Sequence, residues 1–238
     1  MRSISFTVKM FLKSLIRRIP HSDNMYSLLS EEDMNSYPSN LKDQPISPCE
    51  VDQVIPVNFP PRYWDGGLHM LEHGHPWLTP GAVLYLVNHL KPSFAVLEIG
   101  SGGSTVFFAT RCKSVVSVES DEMWRKCVTD ELEKRKLNNV QIFFKTDQSA
   151  MEEFVRERQE GEFDVVLVDP KSGYDRSRLA RLCRPKLKER GLMIIDNYAV
   201  VDSEVHLETK KLGWHSYYYV DPHWSGRGTS IHIKTSRA

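Results

Sequence analysis

The chain has 238 residues, 40 % of them hydrophobic and 26 % charged, which supports a folded core and excludes wholesale disorder. Lys plus Arg and Asp plus Glu both number 31, so the formal net charge is zero and the basic excess of a generic polyanion binder is missing. The length suits one domain with an appendage, and no apolar run approaches the roughly 18 residues of a membrane span.

Composition divides the chain. All 13 glycines lie at or beyond Gly66, while 7 of the 13 prolines lie in the first 61 residues. Residues 1–20 carry Arg2, Lys9, Lys13, Arg17 and Arg18 and no acid. Phe11, Leu12, Leu15, Ile16 and Ile19 share one helical face, with Lys9, Lys13 and Arg17 on another. This predicts a basic amphipathic helix over 1–20. Three readings stay open for it: peripheral contact with an anionic membrane, an organelle presequence, or packing on the main domain or a partner. Residues 21–61, rich in Ser, Pro, Asn and Asp, predict an irregular arm, and 62–238 the main domain. Cys49, Cys112, Cys127 and Cys183 are scattered without a C-x-x-C pair. That argues against a disulfide framework and for a reducing compartment, with the cytoplasm as the expected location.

From residue 80 onward, strands and helices alternate. Helices are predicted over 80–90, 104–111, 121–136, 150–160, 176–187 and 205–212. Strands are predicted over 94–99, 114–118, 140–144, 163–168, 192–195, 214–220 and 229–234. The pattern implies an α/β fold whose parallel sheet has helices on both faces, ending in an antiparallel pair.

In such a sheet, ligands sit beyond the carboxyl ends of the strands. The first strand runs into Glu98-Ile99-Gly100-Ser101-Gly102-Gly103-Ser104-Thr105. Glycines there allow a sharp turn and the close approach of a ligand. Glu119 follows the second strand, 19 residues beyond Gly100, the spacing expected of an acid that binds a ribose diol. Asp147 follows the third strand, Asp169 the fourth, and Asp196-Asn197 the fifth. Helix capping accounts readily for Asp121 and could account for Asp147. It does not account for Asp169 and Asp196, which end very apolar strands, where a carboxylate is costly unless paired.

The string LEIGSGGST, with SVES, KTDQS and FDVVLVDP in order behind it, resembles the motifs of class I S-adenosylmethionine-dependent methyltransferases. A dinucleotide loop would want a third glycine where Thr105 stands. The resemblance implies a Rossmann-like sheet of order 3-2-1-4-5-7-6 with its last strand antiparallel. It implies that Gly100 and Gly102, with Ser101 and Ser104 in the same loop, approach the methionine part of S-adenosyl-L-methionine. By the same resemblance Glu98 holds the amino group through water, Glu119 the ribose, and Asp147 the adenine amino group with Gln148 beside it.

The D/N-P-P-Y/F signature of amino-methylating DNA enzymes is absent, since the residues are Asp169-Pro170-Lys171-Ser172. Nucleic acid is therefore not the expected partner. Asp169 followed 27 residues later by Asp196-Asn197 resembles metal-dependent O-methyltransferases of catechols and caffeoyl-CoA. Three hard oxygen donors there would suit Mg2+, which lowers the pKa of an acceptor hydroxyl; a turn is the competing reading of Asp196-Asn197. Asp169 and Lys171 are the candidate catalytic groups, although that family's lysine lies one residue further on. The segment His75-Pro76-Trp77-Leu78-Thr79-Pro80, with Asp175-Arg176 and Asp196-Asn197, also resembles bacterial small-molecule or sugar methyltransferase-like proteins. His69, His73 and His75 allow a zinc site, a cover over the ligand or plain packing. Arg227 is a candidate acceptor contact. The expected activity is O-methylation of a small-molecule hydroxyl. The rival readings are an NAD-linked oxidoreductase and a non-catalytic binding protein.

Overall fold

The computed structural model describes residues 67–199, 204–220 and 227–235. The helix expected over 1–20 and the arm over 21–61 lie outside the described residues.

A short helix α1 (Gly67–His73) comes first. It is followed by α2 (Pro80–His89), β1 (Ala95–Ile99), α3 (Gly103–Ala109), β2 (Ser114–Glu119) and α4 (Glu122–Lys134). Next are β3 (Val140–Phe144), α5 (Gln148–Arg156), β4 (Phe163–Val168), α6 (Arg176–Cys183) and β5 (Leu187–Ala199). The chain closes with α7 (Glu204–Lys211), β6 (His215–Val220) and β7 (Arg227–Ile233). The sheet order is β3-β2-β1-β4-β5-β7-β6, with β7 antiparallel to both neighbours and the other pairings parallel. This is the order expected from the motifs.

Strand periodicity of two assigns the core to two layers. In β4, Val165 and Leu167 join α2, α3 and α4 on one face, while Val166 and Val168 join α5 and α6 on the other. Pro80 opens α2, where a missing N–H costs nothing. Asp121, Asp147 and Asp175 each cap a helix by accepting from the backbone N–H three residues on.

Three sequence expectations need correction. The helix expected over 176–187 ends at Cys183, because Pro185 cannot continue it, and a 3-10 turn over Arg184–Lys186 follows. Helix α1 was not anticipated, because the glycines beside it mask its start. The fifth strand does not end at 195 but continues to Ala199 through a register shift between Ile195 and Tyr198. Asn197 sits in that shift at φ 56, a left-handed conformation that Asn tolerates better than most residues. So Asp196-Asn197 is neither a free strand end nor a turn. It is a bulge that re-aims two polar side chains at the carboxyl edge of the sheet.

Candidate active site

The glycine loop is held by a buried carboxylate. Glu98 is fully buried and pairs in register with Ser117, whose hydroxyl donates to it at 2.7 Å. Ser104 and Thr105, in the first turn of α3, donate their hydroxyls at 2.5 and 2.6 Å. Burial pushes the Glu98 carboxyl up to about 7, against the three hydroxyl donors that favour its charge. Thr105 also accepts the Gly102 N–H at 2.9 Å, so its hydroxyl joins the loop to Glu98. The side chain that the motif aims at a cofactor amino group is thus sealed beneath the loop. Direct contact with a ligand is closed to it.

Two glycines of the loop answer different demands. Gly100 has φ 94, and a Cβ there would stand 2.1 Å from the Asp169 carbonyl oxygen. Among the described residues, a Cβ on Gly102 would meet within 4 Å only the edge of the Trp124 ring, at 3.8 Å, and would clash with nothing. Gly103 is packed against the chain ahead of α2, where a Cβ would lie 2.1 Å from the His75 carbonyl oxygen and 2.7 Å from that of Met70. The histidine-rich segment therefore buttresses the start of α3. Within it the His69 and His73 rings meet edge to face at 4.4 Å, and burial lowers the buried His75 to about 4. Among the described residues no group of three His, Cys, Asp or Glu side chains could hold a metal.

Glu119 is buried at the end of β2, and its carboxylate takes four donors. Oε1 accepts the Ser120 and Asp121 N–H groups at 2.7 and 2.8 Å; Oε2 accepts the Ser101 N–H and hydroxyl at 2.9 and 3.0 Å. Ser101 and Ser104 are buried, one hydroxyl on each of the two acids. Asp147 is exposed at the end of β3 and caps α5 through the Ala150 N–H at 3.0 Å, which lowers its pKa. Gln148 bridges two helices: its amide donates to Glu152 at 2.9 Å and accepts the Asp175 N–H at 2.8 Å.

The register Val168↔Ile195 places Asp169 and Asp196 side by side beyond paired strands. Asp169 is 28 % exposed and faces the Arg176 guanidinium at 3.3 Å. Burial raises it to about 6, with Arg176 and Asn197 opposing. Asp196 is 5 % exposed and raised well above the ordinary aspartate value by burial and by Asp169. Its Oδ1 takes the Thr229 hydroxyl at 2.5 Å and its Oδ2 the Asn197 amide at 2.7 Å. Thr229 in turn accepts the Thr79 N–H at 3.0 Å, which ties the segment ahead of α2 to the acid pair.

This donor set does not fit the expected Mg2+ ion. Both Asp196 oxygens are engaged, the Asn197 amide approaches as a donor, and Arg176 occupies the place of the countercharge beside Asp169. The conflict of two adjacent carboxylates, which suggested a cation, is met by Arg176 and by the raised pKa of Asp196. Lys171 is exposed two residues on, 5.7 Å above the Tyr174 ring. Of the residues joined to these sites, sequence reading missed Ser117, Thr229 and Trp124. Ser117 opens the SVES string but that string points to Glu119, Thr229 lies within a strand and carries no motif, and Trp124 lies in an amphipathic helix with no motif of its own. The Arg227 side chain lies outside the described part of the molecule.

A seven-stranded sheet of this order with a glycine loop after β1 defines the Rossmann-like fold of class I methyltransferases. Residues 97–198 match the family model described as a methyltransferase domain. The fold is similar to that of a methyltransferase from Geobacter sulfurreducens, at 16% identity and TM-score 0.52 over 66% of this chain and 78% of that one. It is also similar to the yhhF protein of Escherichia coli, at 13% identity and TM-score 0.52 over 67% and 89% of the respective chains. Among curated proteins the sequence has no match.

Proposed function

We propose that this protein transfers the methyl group of S-adenosylmethionine to a hydroxyl of a small-molecule acceptor, with Asp169 receiving the hydroxyl proton. The observation that carries the reading is the position of Asp169. Its main chain touches Gly100 of the glycine loop, and its carboxyl is partly exposed with a pKa near 6. A base tuned toward neutral pH beside the methyl donor is what proton removal from a hydroxyl requires. Lys171 is exposed, with its ammonium over the Tyr174 ring, which makes it the weaker candidate.

The residues present fit the cofactor. The open space before Gly102 admits a ligand that a side chain would displace. Among the described residues the Ser101 hydroxyl is the one side-chain donor on Glu119, and a ribose hydroxyl can take its place on Oε2. Asp147 and Gln148 border the adenine end in this reading. S-adenosylmethionine supplies an electrophilic methyl group on a sulfonium. The protein aligns the acceptor oxygen behind that methyl and removes water. No step runs through a metal.

The fully buried Thr105 at the third loop position, bonded to Glu98, works against the dinucleotide alternative. The test is transfer of isotope-labelled methyl groups to a panel of hydroxylated small molecules. Asp169→Asn should retain S-adenosylhomocysteine binding and lose at least about a hundredfold in turnover, within the usual range for removing a general base. Labelling of amines alone would overturn the O-methyl reading.

A further inference from the structure

Trp124 is pinned at two points. Its backbone N–H is capped by Asp121 at 3.0 Å, and its indole N–H donates to the Ser101 carbonyl at 2.7 Å. Asp121 is itself bound to Glu119 through its N–H at 2.8 Å. The glycine loop, the acid after β2 and the first turn of α4 therefore form one hydrogen-bonded unit with the indole as its outer wall. One side of the ring packs against the buried cluster under α3 and α4. The ring is only half-buried, and among the described residues its Cζ2 edge is the group within 4 Å of a Cβ on Gly102. An apolar surface left partly in water beside a polar loop gains free energy when a ligand covers it. With both its N–H groups bonded, the ring loses little freedom when a ligand arrives.

We infer that Trp124 is a cofactor-contact residue, whose indole edge stands beside Gly102 on one wall of the slot that takes S-adenosylmethionine. The inference rests on the cofactor site proposed above. It explains why position 102 is glycine although the free protein has room there for a methyl group. The constraint comes from the ligand held against the ring, not from the fold.

The probe is S-adenosylhomocysteine, titrated into the full chain by calorimetry and by tryptophan emission. Binding to the unaltered protein should change the emission. Trp124→Phe, which keeps a ring but loses the indole, should abolish most of that change and weaken binding about three- to tenfold. Trp124→Leu should weaken binding more than tenfold, and Gly102→Ala should do likewise while leaving the denaturation midpoint unaltered. If Trp124→Phe retains the full emission change, or Trp124→Leu binds within twofold of the unaltered chain, the indole is only a brace for the loop and the inference is overturned. Should Trp124→Leu fail to fold, the emission arm with Trp124→Phe decides. If the unaltered chain does not bind S-adenosylhomocysteine, the site assignment itself falls, and the slot with it.

Discussion

The carbonyl oxygen of Asp169 stands 2.1 Å from the point a Cβ on Gly100 would occupy. Two strand ends that are 69 residues apart in sequence thus touch through bare backbone. The contact sets how closely the candidate base approaches the glycine loop. It also makes Gly100 irreplaceable on two independent grounds, its φ of 94 and the absence of space.

Gly100→Ala should therefore destabilise the fold by about 3 kcal/mol, the scale of strain at a positive φ added to a backbone clash. Gly102→Ala, at an extended φ of 172 with open space ahead, should cost well under about 1 kcal/mol. Urea denaturation of the two variants checks this pair. Similar losses for both would contradict the distinction drawn between them.

Thr229 accepts from Thr79 and donates to Asp196. Thr229→Val keeps the shape and removes both bonds, leaving a buried N–H and a buried carboxyl oxygen unmatched. The expected cost is about 2–4 kcal/mol, and Thr229→Ser should restore most of it. Equal stability of the Val and Ser variants would show that the hydroxyl contributes only packing.

Glu98 gives a pH dependence of defined sign. Burial raises its folded-state pKa from the ordinary 4.5 to about 7, so the unfolded chain loses this proton first as pH rises. Its contribution to stability is full below pH 4.5 and fades as pH climbs to about 7, by on the order of 3 kcal/mol. The buried His75 and His232 act in the opposite sense. Burial lowers them to about 4 and about 3, so their contribution is full above 6.5 and falls on acidification. Comparison with Glu98→Gln separates the two effects. The variant's stability relative to the unaltered chain should rise between pH 4.5 and 7, measured as denaturation midpoints across that range. A difference that is flat with pH would place Glu98 in its charged form throughout.

The alternation of strands and helices was legible because strand periodicity and strand-end acids repeat in order, and both follow from local sequence; the order of the strands was implied only by the resemblance to class I methyltransferases. Glu98, Glu119 and Asp169 were found by position alone. Their bonding was not legible, because it depends on partners far off in sequence: Ser117 pairs with Glu98 only through β-sheet register, and Thr229 reaches Asp196 only across the antiparallel strand. The Mg2+ expectation failed for the same reason. The sequence shows two carboxylates that would repel, but not the guanidinium of Arg176 delivered from α6. A turn is one of the two readings that the sequence allows for Asp196-Asn197, because the residue type signals a left-handed backbone without saying whether the strand resumes.

The account depends first on the glycine loop being the seat of S-adenosylmethionine. Calorimetric titration of S-adenosylhomocysteine, with NADH in parallel, tests this most directly. The expected result is a micromolar dissociation constant, about −8 kcal/mol, for the unaltered chain, no measurable binding to a folded Gly102→Val variant, and none of NADH. Unchanged S-adenosylhomocysteine binding in Gly102→Val, or preferential binding of NADH, would contradict it.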